Sequence, residues 1–132
     1  MPLPIALTQG DPSGIGPELA LTAWAQASRD ATIPAFFILA DPDHLARVAL
    51  ELGRAVSIET CIPADATGVF RHALPVVPLR NAVRGVAGLP DSRDAPATIA
   101  DPRFAGAGVL AAEGLDGVTL APWGGAIVAV GA

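Results

Sequence analysis

The sequence predicts one α/β domain, and three observations support this fold class. Short continuous apolar runs alternate with segments of helical periodicity, and such runs are typical of strands covered on both faces of a parallel sheet. Residues that start and stop helices stand at the boundaries between these segments. The order strand, helix, strand, helix, strand within about sixty residues is that of an α/β domain with right-handed crossover connections.

The first strand and the first helix are predicted at residues 5–7 and 19–29. The helix carries one apolar stripe, which consists of Leu19, Ala23, Trp24 and Ala27. We expect Trp24 to be a core residue. The second strand is predicted at residues 33–40, with Pro34 at its start because proline cannot donate a ladder hydrogen bond inside a sheet.

The second helix has the clearest boundaries in the sequence. Asp41 is predicted as its N-cap, Pro42 stands at the first helical position, and Gly53 ends the helix. The apolar stripe of this helix consists of Leu45, Val48, Ala49 and Leu52. His44, in the first turn, is predicted on the polar and solvated side.

Further elements are predicted less regularly along the rest of the chain. Strands are expected at residues 55–59 and 73–79, and residues 95–100 have the pattern of an opening helix. From Asp101 onward, glycines and prolines recur without a helical or strand period until the strand-like segment at residues 126–130. Such an apolar segment is an aggregation liability if it is left unpaired.

Composition limits the size and the function classes. A chain of 132 residues makes one modest domain, and its net charge of -5 argues against a general binder of nucleic acids or anionic membranes. All eight basic residues are arginine, so the chain has no lysine for Schiff-base, general-base or P-loop chemistry. The first residues show neither a basic region nor a long apolar core, and we expect no signal peptide or membrane span.

The thiol and imidazole side chains are predicted to be structural. The single cysteine, Cys61, excludes an internal disulfide and a multi-cysteine zinc site, which fits a cytoplasmic protein. We expect Cys61 to be a half-buried small hydrophobe rather than a reactive thiol. His72 shows no partner carboxylate, and His44 and His72 do not stand at ligand spacing, so we assign no metal ligand.

A glycine-rich loop organises the chain, with the sequence Gly10-Asp11-Pro12-Ser13-Gly14-Ile15-Gly16-Pro17-Glu18. Three glycines and two prolines in nine residues exclude a strand or a helix interior. Gly16 is predicted as the N-cap of the first helix and Pro17 as its first helical residue. The free N–H groups and the positive end of the helix dipole then converge where an anion could sit.

Two familiar phosphate loops match this segment poorly. A P-loop requires lysine and serine or threonine where Pro17 and Glu18 stand. A dinucleotide fingerprint requires a third glycine where Leu19 stands, although Asp41 lies near the position of a ribose-binding acid. Asp41 is equally explained as a helix cap. A tight strand-to-helix turn without a ligand remains an alternative for the whole loop.

Four segments resemble the 4-hydroxythreonine-4-phosphate dehydrogenase family of pyridoxal phosphate biosynthesis, and together they cover about residues 3–100. They are the opening Ile5-Ala6-Leu7-Thr8-Gln9-Gly10-Asp11-Pro12-Ser13-Gly14-Ile15-Gly16-Pro17-Glu18, then Ala40-Asp41-Pro42, Leu74-Pro75-Val76-Val77-Pro78-Leu79 and Asp94-Ala95-Pro96-Ala97-Thr98-Ile99-Ala100. The resemblance implies the two-domain, three-layer α/β fold of the isocitrate and isopropylmalate dehydrogenases, represented here by an incomplete N-terminal part.

The resemblance also implies a reaction and its cofactors. In such cytoplasmic enzymes NAD or NADP accepts a hydride from the secondary alcohol of 4-phosphooxy-L-threonine, and the resulting β-keto acid loses CO₂ to give 3-amino-2-oxopropyl phosphate. A divalent metal (Zn, Mg or Co) stabilises the charge that develops on oxygen, and its ligands come from both subunits of a homodimer. Of the family's site, only the first loop carries over. Gly10, Asp11, Gly14, Ile15 and Gly16 would line the cofactor side of the cleft, although Asp11 could simply cap N–H groups of its own loop.

The chain also departs from the family pattern. The family's metal-binding histidines, its Val-Thr-x-Pro-x-x-Lys and Gly-His-Thr-Glu segments and its substrate-binding lysine, asparagine and arginine lie downstream of residue 100, and none is found here. We therefore assign no catalytic residue and expect the chain alone to be inactive. We divide it into residues 1–100, an N-terminal dehydrogenase part, and residues 101–132, a glycine-rich tail that arises from a frameshift or truncation. The alternatives are another metal-dependent β-hydroxyacid dehydrogenase of this fold, or a non-catalytic module that binds a nucleotide or pairs with a full-length subunit.

Overall fold

The computed structural model describes residues 3–79, 82–95 and 127–129, which form a five-stranded sheet with helices on both faces. The elements in chain order are β1 (Ile5–Thr8), α1 (Gly16–Ala27), β2 (Phe36–Ala40), α2 (Pro42–Glu51), β3 (Ile58–Thr60), α3 (Ala66–Phe70), β4 (Leu74–Pro78) and β5 (Ile127–Ala129). Short 3₁₀ turns lie at Pro63–Asp65 and Ser92–Asp94. The predicted α/β class is therefore confirmed.

The strand order in the sheet is β3-β4-β2-β1-β5. The first four strands in this order are parallel, and β5 runs antiparallel to β1. The carboxyl ends of β1, β2 and β4 consequently lie side by side at one edge of the sheet. In open α/β sheets this edge is where ligands bind.

The buried side chains form one cluster on each face of the sheet, and α3 contributes to both, with Phe70 on the face of α1 and α2 and Ala66 on the other. Helices α1 and α2 pack on one face, where Leu21 and Leu45 contact the cluster that contains Ile38 and Val76. Helix α3 contributes Ala66 to the cluster on the other face, which contains Phe37. Neighbouring residues of β2 thus point to opposite faces, as the period of a strand requires.

Strand β2 is the most buried element. All five residues, Phe36 to Ala40, are buried, which confirms the continuous apolar run as a strand covered on both faces. The strand begins at Phe36 rather than at the predicted residue 33, and the Ala35 carbonyl oxygen just before it accepts from the Ile5 N–H at 2.9 Å. The Phe36 ring also packs edge-on against the ring of Phe70, and the two ring centroids lie 4.9 Å apart.

Helix α1 differs from the prediction in its start and in its buried stripe. Ile15 is the N-cap, so Gly16 is already helical and is not the cap. Leu19 is 56% exposed and Ala23 is exposed, which contradicts their assignment to the apolar stripe. The buried side chains are Pro17, Ala20, Leu21 and Ala27. The stripe starts from Pro17, two residues earlier than predicted. Trp24 joins it, and its indole N–H donates to the Phe70 carbonyl oxygen at 2.9 Å.

Helix α2 follows the prediction closely. The Asp41 side chain caps it by accepting from the Asp43 N–H at 3.0 Å, and Gly53 takes a positive φ of 64° after its last turn. Leu45 and Ala49 are buried and Val48 is half-buried. Leu52 is exposed, because it follows the last helical residue, Glu51.

The strands beyond α2 are confirmed with shifted bounds. Strand β3 starts at Ile58 rather than residue 55, since it lies at the edge of the sheet and pairs only with β4. Strand β4 matches the predicted segment, and β5 confirms the strand predicted at residues 126–130 and pairs with β1. The helix predicted at residues 95–100 lies outside the described residues except for Ala95, as does most of the tail. Among the described residues no helix is long and apolar enough to cross a bilayer.

We expect Phe37→Ala to lower the free energy of unfolding of the purified chain by about 3–5 kcal/mol, because it empties a fully buried site in the middle of the sheet. Urea denaturation followed by circular dichroism measures this change. Leu50→Ala is the matched control, since Leu50 is exposed on α2 and its loss should cost less than about 0.5 kcal/mol. Equal losses for the two variants would contradict the assignment of β2 to the core.

Candidate functional site

Three segments meet at the carboxyl edge of the sheet. The first loop (residues 9–15) follows β1, the first two turns of α2 follow β2, and the second loop (residues 82–95) comes after β4. The first loop and α2 follow directly after β1 and β2, and the second loop begins a few residues after the end of β4. The glycine-rich sequence of the first loop is therefore positioned where an α/β sheet offers a binding site.

The first loop is closed by its own hydrogen bonds. Gly10 adopts a positive φ of 67°, a conformation that glycine reaches without steric cost. The Asp11 carboxylate accepts from the Ser13 N–H at 2.9 Å, and the Asp11 carbonyl oxygen accepts from the Gly14 N–H at 2.9 Å. Asp11 thus caps N–H groups of its own loop, which was one of the two roles considered for it.

The glycines at positions 14 and 16 face backbone atoms. A Cβ at Gly16 would lie 1.9 Å from the Gln9 carbonyl oxygen, a distance that no side chain tolerates. A Cβ at Gly14 would lie 3.2 Å from the Asp11 carbonyl oxygen, which is tight but not impossible. Gly16 is therefore required because the start of α1 packs directly on the backbone that leaves β1.

No side chain of the described residues caps the N-terminus of α1. The first N–H groups of any α-helix lack intrahelical partners, and in this part of the chain no side chain replaces them. Two large apolar side chains are exposed beside this end, Ile15 at 69% and Leu19 at 56%. Two exposed carboxylates, Asp11 and Glu18, flank the same end. The surface around the helix end thus combines free N–H groups, apolar area and negative charge.

His44 is buried, which contradicts its predicted place on a solvated helix face. Its side chain is 2% exposed, and its Nε2 lies 2.8 Å from the Pro12 carbonyl oxygen. Since a carbonyl oxygen only accepts, Nε2 must carry the proton. Helical periodicity places His44 on the face of α2 that is turned away from the core. The prediction failed because the first loop covers this face at the first turn of the helix.

The second loop is fixed to α2 through Val83. The Val83 N–H donates to Asp41 Oδ2 at 2.9 Å, and the Val83 carbonyl oxygen accepts from Arg47 Nη2 at 3.0 Å. Both oxygens of the Asp41 carboxylate are thus engaged, one in capping α2 and one in holding the second loop. The observed role of Asp41 is that of the predicted cap.

The two loops also contact each other. The Ser13 carbonyl oxygen accepts from the Gly88 N–H at 2.9 Å, and the Ser13 hydroxyl donates to the Leu89 carbonyl oxygen at 3.3 Å. The buried carboxylate of Asp94 shapes the second loop by accepting from the N–H groups of Arg84 and Gly85 at 2.9 and 2.7 Å. Sequence reasoning missed Asp94. Its partners lie only nine and ten residues earlier in the chain, but this loop has no helical or strand periodicity from which the burial of Asp94 could be predicted.

Gln9 is the unusual polar residue of the site. Its side chain is 2% exposed, and within the described part of the chain neither Oε1 nor Nε2 has a hydrogen-bond partner. Buried amides are nearly always paired, because leaving one unpaired costs roughly 1–3 kcal/mol. An unpaired amide at the end of β1, directly under the start of α1, is the kind of group that a bound molecule or water would satisfy.

The remaining titratable candidates lie away from this edge. His72 Nε2 lies 2.9 Å from Glu59 Oε2, so the expectation that His72 has no carboxylate partner was wrong, although the pair is exposed. The signal was available, since β3 and β4 are neighbours and bring these residues together. Residues 3–79, 82–95 and 127–129 contain no group of three or more His, Cys, Asp or Glu side chains that could hold a metal ion.

Cys61 is half-buried, as predicted. Burial raises the pKa of its thiol, and the carboxylates of Asp65 and Glu59 raise that pKa further. A higher pKa leaves less thiolate at any given pH, so this thiol is protected rather than activated.

We expect Cys61 to react with a thiol reagent severalfold more slowly at pH 8 in the folded chain than in the urea-unfolded chain. The raised pKa also means that its contribution to stability is present below the unfolded thiol pKa and is lost as the pH rises through the folded value. Absorbance of the chromophore that the reagent releases measures the reaction rates of the folded and the unfolded chain. Glutathione at the same urea concentration is the control. A faster reaction in the folded chain would contradict this environment.

We expect Gly16→Ala to destabilise the chain by about 1–3 kcal/mol, because the added methyl group displaces the start of α1 from Gln9. Gly68→Ala in α3 is the matched control, since its Cβ would meet no atom within 4 Å and alanine is the better helix former by up to about 1 kcal/mol. Chemical denaturation compares the two variants. Similar effects of both changes would show that the contact at Gln9 is not tight.

Comparison with known proteins gives one consistent result. No protein-family model matches the chain. The 4-hydroxythreonine-4-phosphate dehydrogenases of Xanthobacter autotrophicus and Methylorubrum extorquens are 43% and 46% identical to it over 99 and 98 residues, which is 75% and 73% of this chain and 28% of each relative. The enzyme of the same name from Bradyrhizobium diazoefficiens is 38% identical over 116 residues, or 82% of this chain and 33% of the relative.

The chain therefore spans only about a third of the length of the relatives that it matches. The Bradyrhizobium alignment covers 82% of this chain, so it includes residues beyond position 100. At such identity over three quarters of its residues, the chain is related to the 4-hydroxythreonine-4-phosphate dehydrogenase family and corresponds to an N-terminal portion of its members.

Proposed function

We propose that this chain supplies the cofactor side of a 4-hydroxythreonine-4-phosphate dehydrogenase. The complete enzyme would oxidise 4-phosphooxy-L-threonine with NAD or NADP, and loss of CO₂ would give 3-amino-2-oxopropyl phosphate. The observation that supports this function is the 43–46% identity to enzymes of that name. The reaction itself is carried over from the relatives, because this chain covers a minor part of their length.

The first loop has features that fit a bound nucleotide. Within the described residues the Gln9 amide is buried without a partner and no side chain caps the start of α1, and Gly14 and Gly16 keep side chains away from the loop backbone. We propose that Gly10, Asp11, Gly14, Ile15 and Gly16 line the cofactor side of the cleft. These residues would hold the cofactor, which would supply a hydride acceptor for the secondary alcohol of the substrate.

Charge suggests which part of a dinucleotide this loop would meet. The carboxylates of Asp11 and Glu18 flank the α1 terminus and repel a pyrophosphate, which offsets the attraction of the helix dipole. The exposed side chains of Ile15 and Leu19 offer apolar area to a flat ring instead. We therefore propose that a ring of the dinucleotide, rather than its phosphates, lies against this loop.

The described residues do not fit the family's divalent metal, since they contain no suitable group of ligands. We propose that the metal and substrate ligands of the complete enzyme belong to other parts of the protein and to the second subunit of a homodimer. The isocitrate dehydrogenase-like three-layer fold and the cytoplasmic location are proposals on the same basis.

The division of the chain near Asp101 also remains a proposal. The glycine-rich composition of residues 101–132 supports it, whereas the pairing of β5 with β1 and the reach of the Bradyrhizobium alignment do not. A frameshift requires that another frame of the same DNA encode a Thr-x-Pro-x-x-Lys segment followed by Gly-His-Thr-Glu. The absence of both segments from all three frames would exclude it.

The function can be tested with a chimera in which residues 1–95 replace the aligned residues of the Xanthobacter enzyme. We expect this chimera to reduce NAD or NADP with 4-phosphooxy-L-threonine and a divalent metal, and we expect the 132-residue chain alone to show no turnover. Absorbance at the wavelength of the reduced nicotinamide measures both. A folded, dimeric chimera without activity would contradict the proposal, as would metal-dependent turnover by the chain alone.

The role of the loop can be tested in the same chimera. Gly14→Val should raise KM for NAD(P) about tenfold, or about 1.4 kcal/mol, with little change in metal affinity, because the branched side chain crowds the loop at the Asp11 carbonyl. Gly68→Val adds the same side chain where no atom lies within 4 Å of the Cβ. An unchanged KM and kcat in folded Gly14→Val would leave the loop with a purely structural role.

A further inference from the structure

We propose that His44 is a positioning residue of the first loop. Its imidazole N–H holds the Pro12 carbonyl oxygen and thereby sets the orientation of the loop backbone between β1 and α1. Only the description of this loop as the cofactor loop rests on the proposed function. The positioning itself follows from hydrogen bonds and burial.

The His44 bond is shielded from water at both ends. His44 is 2% exposed and Pro12 is among the fully buried residues. A hydrogen bond in such surroundings is not weakened by competing water, and loss of the donor would leave a buried carbonyl oxygen unpaired. The contact joins residues that are 32 positions apart, so it couples the first loop to a different element of the fold.

The local bonds of the loop do not replace this contact. The bonds from Ser13 and Gly14 to Asp11 close the turn but leave its direction relative to the sheet undefined. The carbonyl oxygen of Ser13 is bound by Gly88 of the second loop, and that of Pro12 by α2. The carbonyl groups of two successive peptide planes are therefore held by two different elements, which fixes the orientation of both planes.

His44 is also distinct from its neighbours on α2. Asp41 and Arg47 both bind Val83 and so hold the second loop. Within the described residues, His44 is the α2 side chain that hydrogen-bonds to the first loop. Removal of its donor should therefore loosen the first loop without releasing the second.

Hydrogen exchange of the 132-residue chain, followed by NMR, tests this role in two variants. In His44→Leu we expect exchange of the Ser13 and Gly14 amides to rise at least about tenfold, while the β2 amides exchange as in the unchanged chain. His44→Gln keeps a donor of similar reach and should restore protection to within about threefold. Unchanged loop exchange in His44→Leu would overturn the proposal, as would an equal rise in β2, which reports general destabilisation.

A measurement on the unchanged chain keeps the proposal falsifiable if the variants do not fold. The ¹⁵N shifts of the His44 ring at neutral pH should show a proton on Nε2 that is protected from exchange with water. A neutral ring with its only proton on Nδ1 cannot donate to Pro12 and would overturn the proposal.

The chimera separates this role from the cofactor assignment. If His44→Leu raises loop exchange and also raises KM for NAD(P), with rescue by His44→Gln, both inferences are supported. If loop exchange rises and KM does not, the positioning role stands and the cofactor role of the loop fails.

Discussion

The first two turns of α2 hold the carboxyl edge of this sheet together. Asp41 caps the helix and binds the second loop, Arg47 binds the same loop at the other side of the Val83 peptide, and His44 binds the first loop at Pro12. A short amphipathic helix thus has two tasks. Its apolar stripe packs against the sheet, and the polar side chains of its first two turns hydrogen-bond to the two loops.

This arrangement explains why the site is formed by chain segments without regular structure. Each loop is tied to α2 and to the other loop, through contacts of Ser13 with Gly88 and Leu89. The first loop, the second loop and α2 are thus bonded to one another in pairs. Movement of either loop away from α2 would break a buried hydrogen bond. Irregular backbone is rigid here because its polar groups are paired with partners distant in sequence.

Those parts of the fold that depend on local chemistry could be predicted from the sequence. The cap at Asp41, the glycine after α2 and the apolar run of β2 are decided by residues within a few positions of one another, and each was located correctly. The buried stripe of α1 was misplaced, because Pro17 was interpreted only as a helix start and not as a buried side chain. The sequence did not identify three buried polar residues, His44, Gln9 and Asp94. Their burial depends on which loop covers them, and the periodicity of the sequence carries no information about that.

The antiparallel pairing of β5 with β1 also has a consequence for synthesis of the chain. Residues 127–129 pair with residues 5–7, so this edge of β1 lacks its β5 partner until residue 129 has been synthesised. Contacts of such sequence separation form late, because a long segment must be ordered before they give any stability. During that interval β1 presents unpaired N–H and C=O groups to other nascent chains. The yield of folded protein should therefore depend on how fast translation passes from residue 95 to residue 129.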